Sequence, residues 1–205
     1  MPTRTSRRDD VLKILTVCSH NRTRSVMTMA MLQSDLDARL GRGAAIVRSL
    51  GFGPPDLPSI PDAVAAMARR DLDTSGHRSR QVTERHVEPA DLILTSERDH
   101  VIKIAAVSQS AYGRSMTMPE FLQLASLHEP PPGVDLRDWA TELTVGRTAR
   151  DYISGDVTEI FDPTGSSPRT FEKSVVEMEE MCTRAAALIA AVVDAPSAPN
   201  RFDFD

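Results

Sequence analysis

The residues best suited to chemistry lie near the N-terminus, in the run Cys18-Ser19-His20-Asn21-Arg22-Thr23-Arg24-Ser25. A strand-like apolar run precedes Cys18, and a helical pattern follows Arg24. A loop that leads into a helix N-terminus directs several backbone N–H groups to one point, which suits a tetrahedral oxyanion. The same positive potential favours the thiolate form of a cysteine. The pattern predicts that Cys18 is a nucleophile on the floor of a phosphate site.

The remaining residues of this run have predicted roles in the same site. Arg24 is expected to bind two phosphoryl oxygens bidentately, and the Ser25 hydroxyl to donate to the sulfur. The backbone N–H groups from Ser19 to Arg24 are expected to bind the equatorial oxygens. The alternative is that Cys18 is a small buried hydrophobic residue at the end of a strand, as most free cysteines are.

Short apolar runs alternate with helical patterns along the chain. Strands are predicted at residues 11–17, 44–50, 91–95 and 114–118, and helices at 25–40, 61–73, 97–107, 119–127 and 168–193. This alternation predicts an α/β sandwich around a parallel sheet. Ligands of such sheets bind beyond the carboxyl ends of the strands, which is where Cys18 is placed.

Length and composition indicate one globular domain. The chain has 205 residues, of which 40% are hydrophobic, and a net charge of −5, which is unusual for a nucleic-acid-binding protein. The longest apolar run after the first strand, Ala185–Val193, is far shorter than the roughly 20 residues that span a bilayer. Only two cysteines, Cys18 and Cys182, are present, which favours a reducing compartment, and a cytoplasmic location is predicted.

A covalent cysteine mechanism also needs an acid to protonate the leaving group. The sequence offers Asp162 in the run Phe161-Asp162-Pro163-Thr164-Gly165. Proline after the aspartate favours an extended backbone, and Gly165 permits a tight turn, so that the carboxyl group can project from a loop. Taken alone, an Asp-Pro pair is a common turn.

Several ordered blocks resemble one family. The run from Val17 to Ser25 looks like the signature loop of the low-molecular-weight protein tyrosine phosphatases, and Asp162-Pro163 matches their general-acid loop in order and setting. The run Ser75–Thr83 is similar to the Ser-His-x-x-Arg-Gln stretch of that family, and Asp91–Leu94 resembles the strand that follows it. The resemblance covers residues 11–126 and 156–194.

The resemblance implies a three-layer α/β sandwich with a four-stranded parallel sheet, helices on both faces, and no cofactor or metal. It also implies a polar network in which Asn21 bonds to Ser49 and His77. The chain departs from the family where His20 replaces the usual glycine and Thr23 replaces a second cysteine. The predicted domain spans residues 11–195, with an insert at about 129–155, between a flexible head (1–10) and a flexible tail (196–205).

The expected activity is hydrolysis of phosphotyrosine, in a protein or a small aryl phosphate, through a phosphocysteine intermediate. Inorganic phosphate and other oxyanions are expected to inhibit, and neither nucleic acid nor a membrane is an expected partner. Two alternatives remain open. One is arsenate reduction, for which Cys182 is the only further cysteine. The other is a phosphotyrosine- or oxyanion-binding module in which His20 blocks catalysis.

Overall fold

Four parallel strands form the centre of the structure, a computed structural model that describes residues 11–131 and 133–194. The strands are β1 (Leu12–Cys18), β2 (Ala45–Gly51), β3 (Leu92–Thr95) and β4 (Ser115–Thr117), in the order β2-β1-β3-β4. The predicted head (1–10) and tail (196–205) lie outside the described residues. Strand β1 is central and almost continuously apolar, as expected for a strand covered on both faces.

The register brings the functional loops to one edge of the sheet. Cys18 at the end of β1 pairs with Gly51 at the end of β2, and Val17 pairs with Thr95 at the end of β3. Because parallel strands all point the same way, the segments that leave β1, β2 and β3 meet at this edge.

Helices cover both faces of the sheet. They are α1 (Arg24–Leu40), α2 (Pro61–Ala68), α3 (Glu84–Val87), α4 (Arg98–Val107), α5 (Met118–Leu127), α6 (Leu136–Glu142), α7 (Ala149–Ser154) and α8 (Pro168–Asp194). A 3₁₀ helix, Gln109–Arg114, precedes β4. One apolar core joins the sheet to α1, α5 and α8, and a smaller one joins its other face to α3 and α4. The predicted three-layer fold is confirmed.

Helix α2 is shorter than the predicted 61–73 because the chain turns after Ala68. Asp71 adopts a left-handed backbone conformation with φ 57°, and the N–H of Leu72 donates to the carbonyl of Met67. This six-to-one hydrogen bond is the Schellman arrangement that ends many helices.

The predicted insert contains α6 and α7 and packs onto the sheet edge near β4. Arg147 lies between the rings of Tyr112 and Tyr152, 4.4 and 4.7 Å from their centroids, and forms an ion pair with Glu120 at 3.2 Å. The chain then returns to the carboxyl edge of the sheet, where the N–H of Ile160 donates to the carbonyl of Ser96. No helix in the described ranges is long and apolar enough to cross a membrane.

Candidate active site

The loop between β1 and α1 turns its carbonyl groups outward. Four of its carbonyl oxygens accept hydrogen bonds, at 2.8–3.1 Å, from neighbouring segments or from α1; they belong to Ser19, Asn21, Arg22 and Thr23. The C=O and N–H of a planar trans peptide point in opposite directions. The N–H groups of the residues that follow therefore face the inside of the loop; these residues are His20, Arg22, Thr23 and Arg24. The inward N–H groups form a cup, which we call the anion cup.

The N-terminus of α1 completes the anion cup. The N-cap residue, Thr23, makes no side-chain capping bond, and the first turn of the helix has no acidic residue. The first N–H groups of a helix have no partner within the helix and carry the positive end of its dipole. They are therefore available to an anion.

The sulfur of Cys18 lies at the floor of the anion cup. The side chain is only 4% exposed, and Sγ accepts a hydrogen bond from the N–H of Asn21 at 3.3 Å. The Ser25 hydroxyl lies 3.0 Å from Sγ and also accepts a bond from the Asn21 side-chain amide. Because that bond occupies an acceptor position on Ser25 Oγ, the hydroxyl proton is free to point to the sulfur, an arrangement that stabilises a thiolate.

Asn21 holds the loop in its strained shape. Its φ is 55°, a left-handed conformation that asparagine tolerates better than most residues. The side-chain oxygen accepts a bond from the N–H of Arg80 at 2.8 Å, and the main-chain carbonyl accepts one from Nε2 of His77 at 2.9 Å. Burial lowers the pKa of His77, and the nearby Arg80 and Arg78 lower it further, against the raising effect of its bond to Asn21.

The predicted hydrogen bond between Asn21 and Ser49 is absent. The amide group of Asn21 is engaged by Ser25 and by the main chain of Arg80 instead. Ser49 Oγ is buried on β2 and has no hydrogen-bond partner among the described residues. The family-based assignment of Ser49 to this network is therefore wrong, while His77 contacts Asn21 through the main chain rather than the side chain.

The loop between β1 and α1 approaches Gly51 so closely that a side chain does not fit at residue 51. A Cβ at residue 51 would lie 2.6 Å from the backbone nitrogen of Asn21 and 2.9 Å from the carbonyl carbon of His20. The change Gly51→Ala should therefore displace the anion cup and lower kcat about 100-fold, the usual effect of an ångström-scale misplacement of reacting groups. Gly76→Ala is the matched control, because nothing lies within 4 Å of its Cβ position. Equal kcat values for the two variants would contradict the prediction.

Arg24 is buried and bound on one side by acidic groups. Nη1 contacts Glu97 Oε1 at 2.5 Å and the carbonyl of Ile160 at 3.1 Å, and Nη2 contacts Asp162 Oδ2 at 2.8 Å. A guanidinium has five N–H donors. Within the described residues, the N–H of Nε and one N–H of Nη2 have no partner, and these two nitrogens share one edge of the group. Arg24 thus keeps a fork of two donors that matches two phosphoryl oxygens.

Asp162 lies on the loop before α8, and its carboxyl group reaches the anion cup through Arg24. Burial works to raise its pKa, but hydrogen bonds from Thr164 and the positive charges of Arg24 and His20 outweigh burial, so that the pKa lies below its usual range. The main-chain N–H of Thr164 donates to Oδ1 at 3.0 Å. The Thr164 hydroxyl donates to Thr23 Oγ1 at 3.2 Å. This last bond ties the acid loop directly to the anion cup.

The hydroxyl of Thr164 is expected to control both the position and the ionisation of Asp162. Thr164→Val removes the bond to Thr23 and one of the interactions that lower the pKa of Asp162. The pKa of this carboxyl should rise, and kcat for phenyl phosphate should fall several-fold because the acid loop loses its bond to the anion cup. Carboxyl NMR titration, with Asp162→Asn to identify the signal, measures the pKa. Thr164→Ser keeps the hydroxyl and should restore both values; an unchanged pKa in Thr164→Val would contradict the prediction.

A second polar cluster borders the anion cup. The N–H of Glu97 donates to Nδ1 of His100 at 3.2 Å, so the ring proton is on Nε2, which lies 3.1 Å from Ser19 Oγ. Burial is the main reason that the pKa of His100 is lowered to about 4. The ring stacks on Phe52, with centroids 5.8 Å apart. A neutral His100 therefore fixes the Ser19 hydroxyl and supports an aromatic wall at Phe52.

His20 and Arg22 lie at the mouth of the cup and face different neighbours. The His20 ring is exposed and lies over Gly53, where a Cβ would come within 2.9 Å of Cδ2. The Arg22 guanidinium is turned to the loop after β2, and its Nε donates to the carbonyl of Pro58 at 2.8 Å. The imidazole of His20 therefore rests against the side of the cup.

The sequence interpretation missed Glu97, His100 and the main chain of Arg80. A signal was available for Glu97, since it follows β3 by two residues at the same sheet edge as Cys18. Arg80 contributes only its N–H to Asn21, and a main-chain donor leaves no mark in the residue type. His100 lies on α4, and nothing in the sequence distinguishes it from an ordinary helix residue.

Comparisons with known proteins identify the family of this chain. The family model for low molecular weight phosphotyrosine protein phosphatase matches residues 13–133. A "probable low molecular weight protein-tyrosine-phosphatase", EpsP of Ralstonia nicotianae, is 39% identical over 85 residues, which are 41% of this chain and 54% of that protein. The match thus spans about half the length of that relative. A protein-arginine-phosphatase of Bacillus subtilis is 28% identical over 85% of this chain and 95% of its own length.

A solved structure shows the same fold. The low molecular weight protein tyrosine phosphatase from T. tengcongensis superposes with a TM-score of 0.63, covers 85% of this chain and 97% of its own, and is 19% identical in sequence. The family model covers more than half of the chain and includes the whole anion cup. The chain belongs to the low molecular weight phosphotyrosine protein phosphatase family.

Proposed function

We propose that the protein hydrolyses phosphotyrosine, in proteins or small aryl phosphates, through a phosphocysteine intermediate. One observation carries the proposal: the Cys18 sulfur, the free donor edge of Arg24 and the Asp162 carboxyl belong to one site. Arg24 contacts Asp162 directly, at 2.8 Å, and Cys18 lies at the start of the same loop. This set supplies a nucleophile, an oxyanion clamp and an acid.

In the first step the phosphate ester enters the anion cup. The inward N–H groups and the Nε–Nη2 edge of Arg24 bind the three equatorial oxygens, while the Cys18 thiolate attacks phosphorus in line with the leaving oxygen. The S–P bond forms as the P–O bond to tyrosine breaks. Catalysis of this kind depends on positioning and on stabilising the charge of the transferring group.

Asp162 is the proposed proton donor to the leaving phenolic oxygen. In the second step its carboxylate takes a proton from a water molecule, whose oxygen attacks phosphorus and breaks the S–P bond. Inorganic phosphate leaves, and both the thiolate and the protonated Asp162 are restored. Hydrogen bonds from Thr164 and the charges of Arg24 and His20 hold the pKa of Asp162 low, and the negative charge of a bound phosphate ester is expected to raise it.

The environment of Cys182 argues against arsenate reduction by a cysteine relay. Its side chain is fully buried on α8, Sγ lies 3.7 Å from the carbonyl of Thr28, and burial raises the pKa of the thiol. A buried, neutral thiol is a poor nucleophile for an oxidised Cys18. No other cysteine is present in the sequence.

Peptide assays test the proposed substrate class. The protein should hydrolyse p-nitrophenyl phosphate and phosphotyrosyl peptides, and inorganic phosphate should inhibit competitively. The aromatic wall at Phe52 supports an aryl substrate. The same peptide carrying phosphoarginine should be a poorer substrate; a kcat/KM that is higher for phosphoarginine would move the assignment to the activity named for the Bacillus subtilis relative. Binding of phosphate without any hydrolysis would support the binding-module alternative.

A further inference from the structure

A basic groove with an apolar floor lies on the face of the sheet covered by α3. Its volume is about 260 Å³, and Ile46 and Leu50 of β2, with Leu15 of β1, form part of its floor. Ile46 is 43% exposed although it belongs to the sheet. Helix α3 is only four residues long, so the layer on this side cannot cover β2.

Four cationic side chains line this groove: Lys13, Arg48, Arg80 and Arg85. None of them forms a side-chain ion pair within the ranges 11–131 and 133–194, and no acidic side chain is among the groove residues. His86 lies between them, and after burial the charges of Arg85, Arg80 and Arg48 contribute to lowering its pKa. The groove thus concentrates positive charge in a chain whose net charge is −5.

The form of the groove indicates an extended ligand. From Ile46 to Leu50 the strand advances about 13 Å, the length of a four-residue extended peptide. The four cations come from three segments, β1, β2 and the chain around α3. Four cationic side chains over an apolar floor suit several carboxylates with apolar side chains between them.

The groove is joined to the anion cup by one segment. The main-chain N–H of Arg80 donates to the side-chain oxygen of Asn21 at 2.8 Å, while the side chain of Arg80 lines the groove. The edge of β2 is closed to a further strand here, because Gln33 of α1 bonds to the carbonyl of Ala45 and the N–H of Val47. A ligand would therefore be held by side chains in the groove and not by strand addition.

We infer that this groove is a docking site for an acidic, apolar-containing peptide segment of the phosphoprotein substrate. The inference rests on the proposed function, since it places the phosphotyrosine in the cup and the acidic segment in the groove. An anionic membrane is less suited, because the apolar surface is recessed rather than protruding. The net charge of −5 also disfavours a polyanionic surface as the partner.

Charge reversal tests the docking site. The double variant Arg48→Glu/Arg85→Glu changes two groove residues that take no part in the anion cup. Arg39→Glu/Arg184→Glu is the matched control, with the same change in net charge at two exposed positions on α1 and α8. Phosphotyrosyl peptides with an Asp/Glu/Leu extension, on either side of the tyrosine, are compared with peptides in which Asn and Gln replace the acids.

The wild type should prefer an acidic peptide, and the groove variant should lose roughly tenfold in kcat/KM for it, with little change for the neutral peptide or p-nitrophenyl phosphate. The control variant should behave as wild type, and added salt should weaken the preference. Equal kcat/KM values for acidic and neutral peptides, in an enzyme that hydrolyses p-nitrophenyl phosphate, would overturn the inference and leave the proposed function intact.

Direct binding of an acidic peptide distinguishes the docking site from the proposed phosphatase function. Fluorescence anisotropy with an unphosphorylated acidic peptide should show binding that inorganic phosphate does not displace and that the groove variant loses. If no substrate is hydrolysed, this result would still support the groove while the proposed function fails. Binding of the wild type to phosphatidylserine vesicles, lost in the groove variant and without any binding of the acidic peptide, would overturn the inference in favour of a membrane surface.

Discussion

Replacing Cys18 by serine should lower kcat by at least about 1,000-fold, because a serine hydroxyl is far less nucleophilic than a thiolate. Oxyanion binding should persist. The inward N–H groups and Arg24 do not depend on the sulfur, so inorganic phosphate should raise the Tm of Cys18→Ser as it does that of the wild type. Steady-state assays and thermal unfolding with phosphate measure the two effects.

The other cysteine provides the control for this variant. Cys182→Ala removes a thiol from the core of α8 and should lower stability modestly, while leaving kcat nearly unchanged. Turnover by Cys18→Ser within tenfold of wild type would exclude a sulfur nucleophile. Loss of phosphate binding in that variant would instead indicate that the loop itself is disturbed.

Asp162→Asn should cause the second-largest loss of activity, and the size of this loss should depend on the leaving group. Loss of a general acid costs typically about 100- to 10,000-fold, and this loss is expected for phenyl phosphate and phosphotyrosine. The loss should be much smaller for p-nitrophenyl phosphate, because p-nitrophenolate leaves without a proton. A series of aryl phosphates of increasing phenol pKa measures this dependence.

The leaving-group series also separates the chemical role of Asp162 from its contact with Arg24. Asparagine has one carbonyl oxygen, so it can keep only one of the two bonds that Asp162 accepts, from Thr164 at Oδ1 and from Arg24 at Oδ2. A variant that merely misplaced Arg24 would lose the same factor with every aryl phosphate. The parameter to compare is kcat/KM, because it reports formation of the phosphocysteine and not the later step in which Asp162 acts as base. An equal loss of kcat/KM across the series would therefore contradict the role of Asp162 as the acid.

The lowered pKa of Asp162 also makes the stability of the protein depend on pH. Its folded-state pKa lies below its usual value, so its contribution to stability is present above that usual value and is lost as the pH falls through the folded value. The Asp162→Asn variant lacks this contribution. The stability difference between wild type and variant should therefore shrink as the pH is lowered through the acidic range.

The sequence predicted the fold and the main site because its strongest signals are local. The apolar run before Cys18 is a central strand, and the helical pattern from Ser25 belongs to α1, which begins one residue earlier. Such patterns reflect burial and backbone propensity over short stretches. The order β2-β1-β3-β4 depends on pairings between distant segments, and no pattern within one strand specifies it.

Contacts between distant segments are also where the sequence interpretation failed. Asn21 bonds to the main chain of Arg80 instead of the predicted Ser49, and any residue type except proline at position 80 could supply that N–H. The Thr23–Thr164 bond involves Thr23, where the chain departs from its family, so the resemblance gave no indication of it. The resemblance used for the sequence analysis did not cover the predicted insert, and its packing through Arg147 became visible only in the structure.

Acid quench during turnover tests the central claim most directly. The protein is mixed with excess phosphotyrosyl peptide or p-nitrophenyl phosphate, quenched within the first turnovers, and examined by intact-mass and peptide mass spectrometry. We predict that the mass increases by one phosphoryl group, and that this group is on the sulfur of Cys18. An unchanged mass under conditions that trap intermediates, in a protein that turns over, or a phosphoryl group on a different residue, would contradict the account.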